Sequence, residues 1–118
     1  MAEERDLRAA ASAPPPAESE DIERWRRRID QIDTQLMGLL NSRSACAVEI
    51  GRIKRTLGLP VYSPEREARI LERVMRENPG PLDPTAVRRV FERIIDESRR
   101  LERLAAHGED TAADRNKE

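Results

Sequence analysis

Residues 22–57, IERWRRRIDQIDTQLMGLLNSRSACAVEIGRIKRTL, decide the fold. Ile22, Trp25, Ile29, Ile32, Leu36, Leu39, Leu40, Ile50 and Ile53 recur at threes and fours, the spacing that collects side chains on one face of a helix. Gly58 and Pro60 follow as a stop signal, so one long helix is predicted from about Asp21 to Leu57, near 50 Å at about 1.5 Å per residue. Two cations interrupt its apolar stripe. Arg43 and Lys54 are eleven residues apart, hence within about 20° of each other at roughly 100° per residue, and both point along the middle of the stripe. A buried unpaired charge costs on the order of several kcal/mol. The pair therefore either meets an anionic ligand or is neutralised internally by an acid such as Glu67 or Glu102. Arg26 falls about 80° from the Lys54 direction and about 25 Å up the axis from Arg43, too far to join the same pocket within one straight helix.

Beyond the long helix, Ser63-Pro64-Glu65 places an N-cap, a proline at the first helical position and an acid in the first turn, predicting a second helix to about Glu77. Asn78-Pro79-Gly80-Pro81 breaks it. Asp83-Pro84 repeats the cap, and Val87, Val90, Phe91, Ile94, Ile95, Leu101 and Leu104 predict a third helix to about Ala106. Residues 1–20, with Pro14-Pro15-Pro16, read as a disordered leader, residues 21–106 as one helical domain, and residues 107–118 as a flexible polar tail.

Composition agrees with an all-α chain. In 118 residues, 38% are charged, 37% are hydrophobic and 3% are aromatic, which suits a helical bundle better than a sheet. A net charge of -1 gives no overall electrostatic case for nucleic acid or an anionic membrane as partner. No apolar run approaches a membrane span and no secretory signal precedes the helices, so a cytoplasmic location is expected. One cysteine, Cys46, and one histidine, His107, leave no metal-ligand spacing; neither a metal nor a cofactor is expected. Cys46 reads as a buried small hydrophobe and Trp25 as a core residue. A lone arginine in so charged a chain is ordinarily solvated, and Arg27, Arg28, Arg52, Arg88 and Arg89 are read that way.

A three-helix protomer whose first helix is far longer than the others leaves much of its apolar stripe wet. A second copy is the cheapest cover, so an intertwined homodimer is expected. An antiparallel partner helix would also bring its Arg26 to this chain's Arg43 and Lys54, with each site drawing on both subunits.

The order Arg26-x-x-Ile29, Asp33, Leu36, Leu39-Leu40, Arg43, Glu49-Ile50-Gly51-x-x-Lys54, Pro60-Val61, Pro64-x-Arg66-Glu67, Phe91, Ile94-Ile95 and Ser98 resembles the all-helical (AroQ class) chorismate mutases. The resemblance covers residues 21–104 and implies interlocked dimers of three-helix protomers that rearrange chorismate to prephenate. It implies that Arg26 reaches one substrate carboxylate from the other subunit and that Arg43 binds the second. Lys54 and Glu102 would meet the ether oxygen, Arg66 would lie in the segment closing over the ligand, Glu67 would accept from the ring hydroxyl, and Ser98 would line the carboxylate region. Ser63 stands where many relatives have an acid shortly before the Arg-Glu pair, so the contact to a substrate hydroxyl that the acid would make falls to the Ser63 backbone. Glu102 donates a hydrogen bond only when protonated, and an unperturbed glutamate titrates near about 4.3.

This chemistry suits the residue types. A [3,3] rearrangement needs no acid, base, nucleophile or cofactor, only a folded substrate and a cation where charge develops on the ether oxygen. Forked arginine–carboxylate bonds supply the first and Lys54 the second. The alternatives are an isochorismate-pyruvate lyase or an aminodeoxychorismate mutase on the same fold, and a non-catalytic helical dimerisation module, against which broken heptads at Arg43 and Lys54 argue. Activation by a partner enzyme stays open.

Overall fold

The computed structural model describes residues 16–117, with side chains described for residues 19–108. Three helices account for it: α1 (Pro16–Thr56), α2 (Pro64–Glu77) and α3 (Pro84–Lys117). Among the described residues there is no strand, and the expected all-α protomer with one long N-terminal helix is what forms.

Two boundaries differ from the sequence reading. α1 starts at Pro16, ahead of Asp21, because a proline is accepted in the first turn and Glu20 and Asp21 place acids near the positive end of the helix dipole. Only residues 1–15 of the expected leader lie outside the described residues. α3 runs on to Lys117 instead of stopping at Ala106. No proline follows Ala106, and Gly108 costs only about 1 kcal/mol relative to alanine, too little to end a helix already propagating.

The turn after α1 forms as its glycine predicts. Gly58 adopts a positive φ of 70°, Leu59 N donates to Lys54 O at 2.8 Å and Gly58 N to Arg55 O at 3.2 Å. This paired reversal satisfies the last carbonyls of the helix and sends the chain back along it. At α3 the predicted cap is literal, since Ala86 N donates to Asp83 Oδ1 at 2.9 Å. At α2, Ser63 occupies the N-cap ahead of Pro64, but its hydroxyl makes no capping bond.

By packing, the chain divides between Leu39 and Leu40. The first unit holds the start of α1, where Trp25 is half-buried under the Arg24 guanidinium, 5.4 Å from its ring centroid. The second holds the rest of α1 with α2 and α3. There α2 packs on α3, and the buried residues among those described are Gly51, Ile70, Val87, Ile95 and Ser98. That is a small core. Along α1, Ile29, Ile32, Leu36, Leu39, Ile50 and Ile53 are all exposed in the protomer. Cys46 is exposed as well, contrary to the reading of it as a buried hydrophobe, because it lines the open cavity between α1 and the other two helices. No helix among the described residues is long and apolar enough to cross a membrane.

Candidate active site

Within the second unit, the C-terminal part of α1, the start of α2 and the middle of α3 enclose a cavity of about 260 Å³. α1 contributes Arg43 and Lys54, the connection and α2 contribute Ser63, Arg66 and Glu67, and α3 contributes Ser98 and Glu102. Seven of the eight residues singled out from the sequence thus line one space. The eighth, Arg26, lies in the first unit and pairs with Glu23 at 2.8 Å on its own exposed turn.

The two stripe cations are half-buried and face the cavity. Arg43 Nη1 donates to Ser98 Oγ at 3.2 Å, and Lys54 Nζ donates to the Val61 carbonyl at 3.4 Å, a carbonyl presented by the chain reversal at Gly58. Neither has a carboxylate within ion-pairing distance among the described residues. The close ion pair left open by the sequence does not form: Glu67 pairs with Arg99 at 3.5 Å instead, and Glu102 feels Lys54 only at longer range. Arg52 and Arg88, read as solvated, do pair with acids on their own exposed turns, Glu49 and Glu92.

Glu102 lies against α1 where the chain has no side chain. A Cβ built on the buried Gly51 would stand 3.6 Å from Glu102 Cγ, an ordinary van der Waals distance, so the carboxyl stem packs directly over this turn of α1. Burial pushes the Glu102 carboxyl above the ordinary carboxylate value, Lys54, Arg55 and Arg99 pull it back, and Glu67 adds to the rise. Desolvation wins despite three nearby cations. Ser63 lines the cavity, and its hydroxyl makes no cap bond to α2.

The sequence missed Arg99 and Tyr62. Both line the cavity, and the Arg99 guanidinium carbon sits 5.3 Å from the Tyr62 ring centroid. Arg99 hides in an Arg99-Arg100 pair on a helix full of charge; its one local signal is Asp96, three residues earlier, with which it forms an ion pair. Among the described residues no group of histidine, cysteine and acidic side chains could hold a metal ion.

Two half-buried cations on α1, with the Ser98 hydroxyl and the Glu102 carboxyl on the facing helix, gather around one small cavity in an all-helical protein. Comparison with known proteins gives that class its family. The sequence pattern of chorismate mutase type II matches residues 25–103. The bifunctional chorismate mutase/prephenate dehydratase of Pseudomonas aeruginosa is 41% identical over 91 residues, covering 73% of this chain and 25% of that protein. The chorismate mutase of Methanocaldococcus jannaschii is 35% identical over 57 residues, 48% of this chain and 58% of that one. In structure, the chorismate mutase (Form II) of Thermus thermophilus superposes with a TM-score of 0.69 at 36% identity, over 70% of this chain and 94% of that one. This chain belongs to the chorismate mutase type II family. It spans 25% of the length of the Pseudomonas relative.

Proposed function

We propose that this protein is a chorismate mutase, converting chorismate to prephenate, the branch step towards phenylalanine and tyrosine, in the cavity of the second unit. The observation that carries the reading is that Arg43 and Lys54 share one small cavity without carboxylate partners, opposite a Glu102 whose proton is favoured by burial. A dianionic substrate supplies the missing counter-charge.

In this reading Arg43, steadied by Ser98, holds one substrate carboxylate through a forked contact and keeps the enolpyruvyl arm folded over the ring. As the C–O bond breaks and the new C–C bond forms, electron density accumulates on the ether oxygen. The Lys54 ammonium and protonated Glu102 both donate to it, and they strengthen as charge grows, which lowers the barrier more than it deepens ground-state binding. Glu67 accepts from the ring hydroxyl. Arg66 and Ser63 close the second-helix side, and no proton needs to leave the substrate.

The second carboxylate falls to Arg26 of another copy of this chain. Supporting this are the exposed α1 side chains, each of which stands to gain about 1.5–3 kcal/mol on burial, and the solvent-exposed ion pair of Arg26 with Glu23, which is worth little and easily exchanged. The functional unit is therefore an intertwined homodimer with shared sites. A cytoplasmic setting belongs to the same proposal.

The test is a product-resolved assay in which purified protein receives chorismate and isochorismate separately, without metal or cofactor. Prephenate from chorismate supports the mutase. Salicylate and pyruvate from isochorismate would move the activity to the lyases, and silence on both would favour an aminated substrate or a non-catalytic dimer.

A further inference from the structure

Arg99 joins three elements around the cavity. On α3 its Nη2 pairs with Asp96 at 2.5 Å, across to α2 it pairs with Glu67 at 3.5 Å, and its guanidinium carbon stands 5.3 Å from the Tyr62 ring centroid in the α1–α2 connection. Its Nε is buried with no hydrogen-bond partner among the described residues. An arginine accepts that cost only where its plane is fixed by the other contacts, and a planar guanidinium can pair with carboxylates at its edge while stacking its face on an aromatic ring.

We propose that Arg99 is a positioning residue for the rearrangement, fixing the Glu67 carboxylate as the ring-hydroxyl acceptor and, through Tyr62, holding the Val61–Ser63 segment against the cavity. The inference rests on the mutase reading. Glu67 is an awkward residue in a pocket for a dianion: its free carboxylate repels the substrate and its long side chain rotates. Arg99 answers both problems, offsetting the charge and removing rotamers before substrate arrives. The Val61 carbonyl that receives the Lys54 ammonium lies next to Tyr62 in the chain, so the stacking contact also helps set where Lys54 points. Arg99 thus reaches the reaction through two other side chains and touches no reacting atom itself.

A second consequence is electrostatic. Glu102 is faced by Lys54 and Arg55 from α1, Glu67 from α2 and Arg99 from α3. Removing the Arg99 charge leaves burial and Glu67 less opposed, so the protonated, hydrogen-bond-donating form persists to higher pH.

The experiment is a double-mutant cycle with full-length protein and chorismate, read as kcat/KM across pH. Arg99→Gln is expected to lose about tenfold in kcat/KM beside wild-type Glu67 and less than about twofold in a Glu67→Gln background, because coupled residues are not additive. Arg99→Lys, which keeps the charge and the stem, recovers part of the loss, and the alkaline limb of the Arg99→Gln profile moves upward. Equal losses in both backgrounds, no loss in either, or an unmoved alkaline limb, with the wild type active, would overturn the positioning role and leave the mutase reading standing. An inactive wild type would overturn both.

Discussion

Arg43 of α1 donates to the Ser98 hydroxyl of α3 at 3.2 Å, and Ser98 is 5% exposed, so the cavity's inner cation is held by a neutral partner and not by an acid. A carboxylate at that position would neutralise the arginine and compete with a substrate. A hydroxyl orients it and leaves the charge available. Ser98→Ala should therefore weaken substrate binding modestly, by about 1 kcal/mol or roughly fivefold in KM, with kcat little changed. Arg43→Lys should lose far more, about a hundredfold in kcat/KM, since a point charge cannot make the fork. Steady-state kinetics on chorismate with both variants checks the order.

Glu102 gives the activity a pH dependence of definite sign. Its carboxyl is raised above the ordinary value by burial, and only the protonated form donates to the ether oxygen. Turnover should fall as pH rises through the raised value, and Glu102→Gln should be flat over the same range. Stability follows the same sign: a carboxyl whose folded value exceeds its unfolded value contributes stability that is fully present below the unfolded value and is lost as pH rises through the folded one. Urea unfolding across that range should show a slope in the wild type that Glu102→Gln lacks. A flat wild-type rate would sink the donor role.

Gly58 ties stability to the site. At φ 70° an alanine is strained by about 1–2 kcal/mol, and the residue also sets the reversal that brings the Val61 carbonyl to Lys54. Gly58→Ala should lower the urea midpoint and also reduce kcat in the surviving folded enzyme. A loss of stability with unchanged kcat would show that the turn serves the fold alone.

Shared sites predict complementation. Arg26→Ala and Arg43→Ala homodimers should each be nearly inactive. After co-refolding, mixed dimers contain one site with both arginines intact, so random pairing should restore about a quarter of wild-type activity. No recovery, with mixed dimers verified by mass, would place Arg26 outside the site or within its own chain's pocket.

Helix periodicity made most of this architecture legible, because α1 repeats its apolar residues over many turns and because Ser63-Pro64 and Asp83-Pro84 mark the two later starts. The cavity was legible for a narrower reason. Arg43 and Lys54 break an apolar stripe at matching angles, so their placement needed an explanation. The ends of α1 and α3 were less readable, since Pro14-Pro15-Pro16 resembles a leader until one allows a proline at a helix start, and the residues after Ala106 carry no stop. Arg99 was invisible for a physical reason: its partners Glu67 and Tyr62 come from other elements, and sequence spacing reports only neighbours on the same helix. Cys46 was misjudged because a small apolar side chain on the stripe reads as core, whereas here it lines the open cavity.

The most direct measurement is prephenate formation from chorismate by the wild type and by Lys54→Ala at matched folded concentration. The wild type should make prephenate, and the variant should lose about a hundredfold to a thousandfold in kcat, the range for removing one preorganised donor from a developing oxyanion. Turnover by Lys54→Ala within a few-fold of wild type, or no prephenate from the wild type, would contradict a mechanism in which Lys54 stabilises the departing ether oxygen.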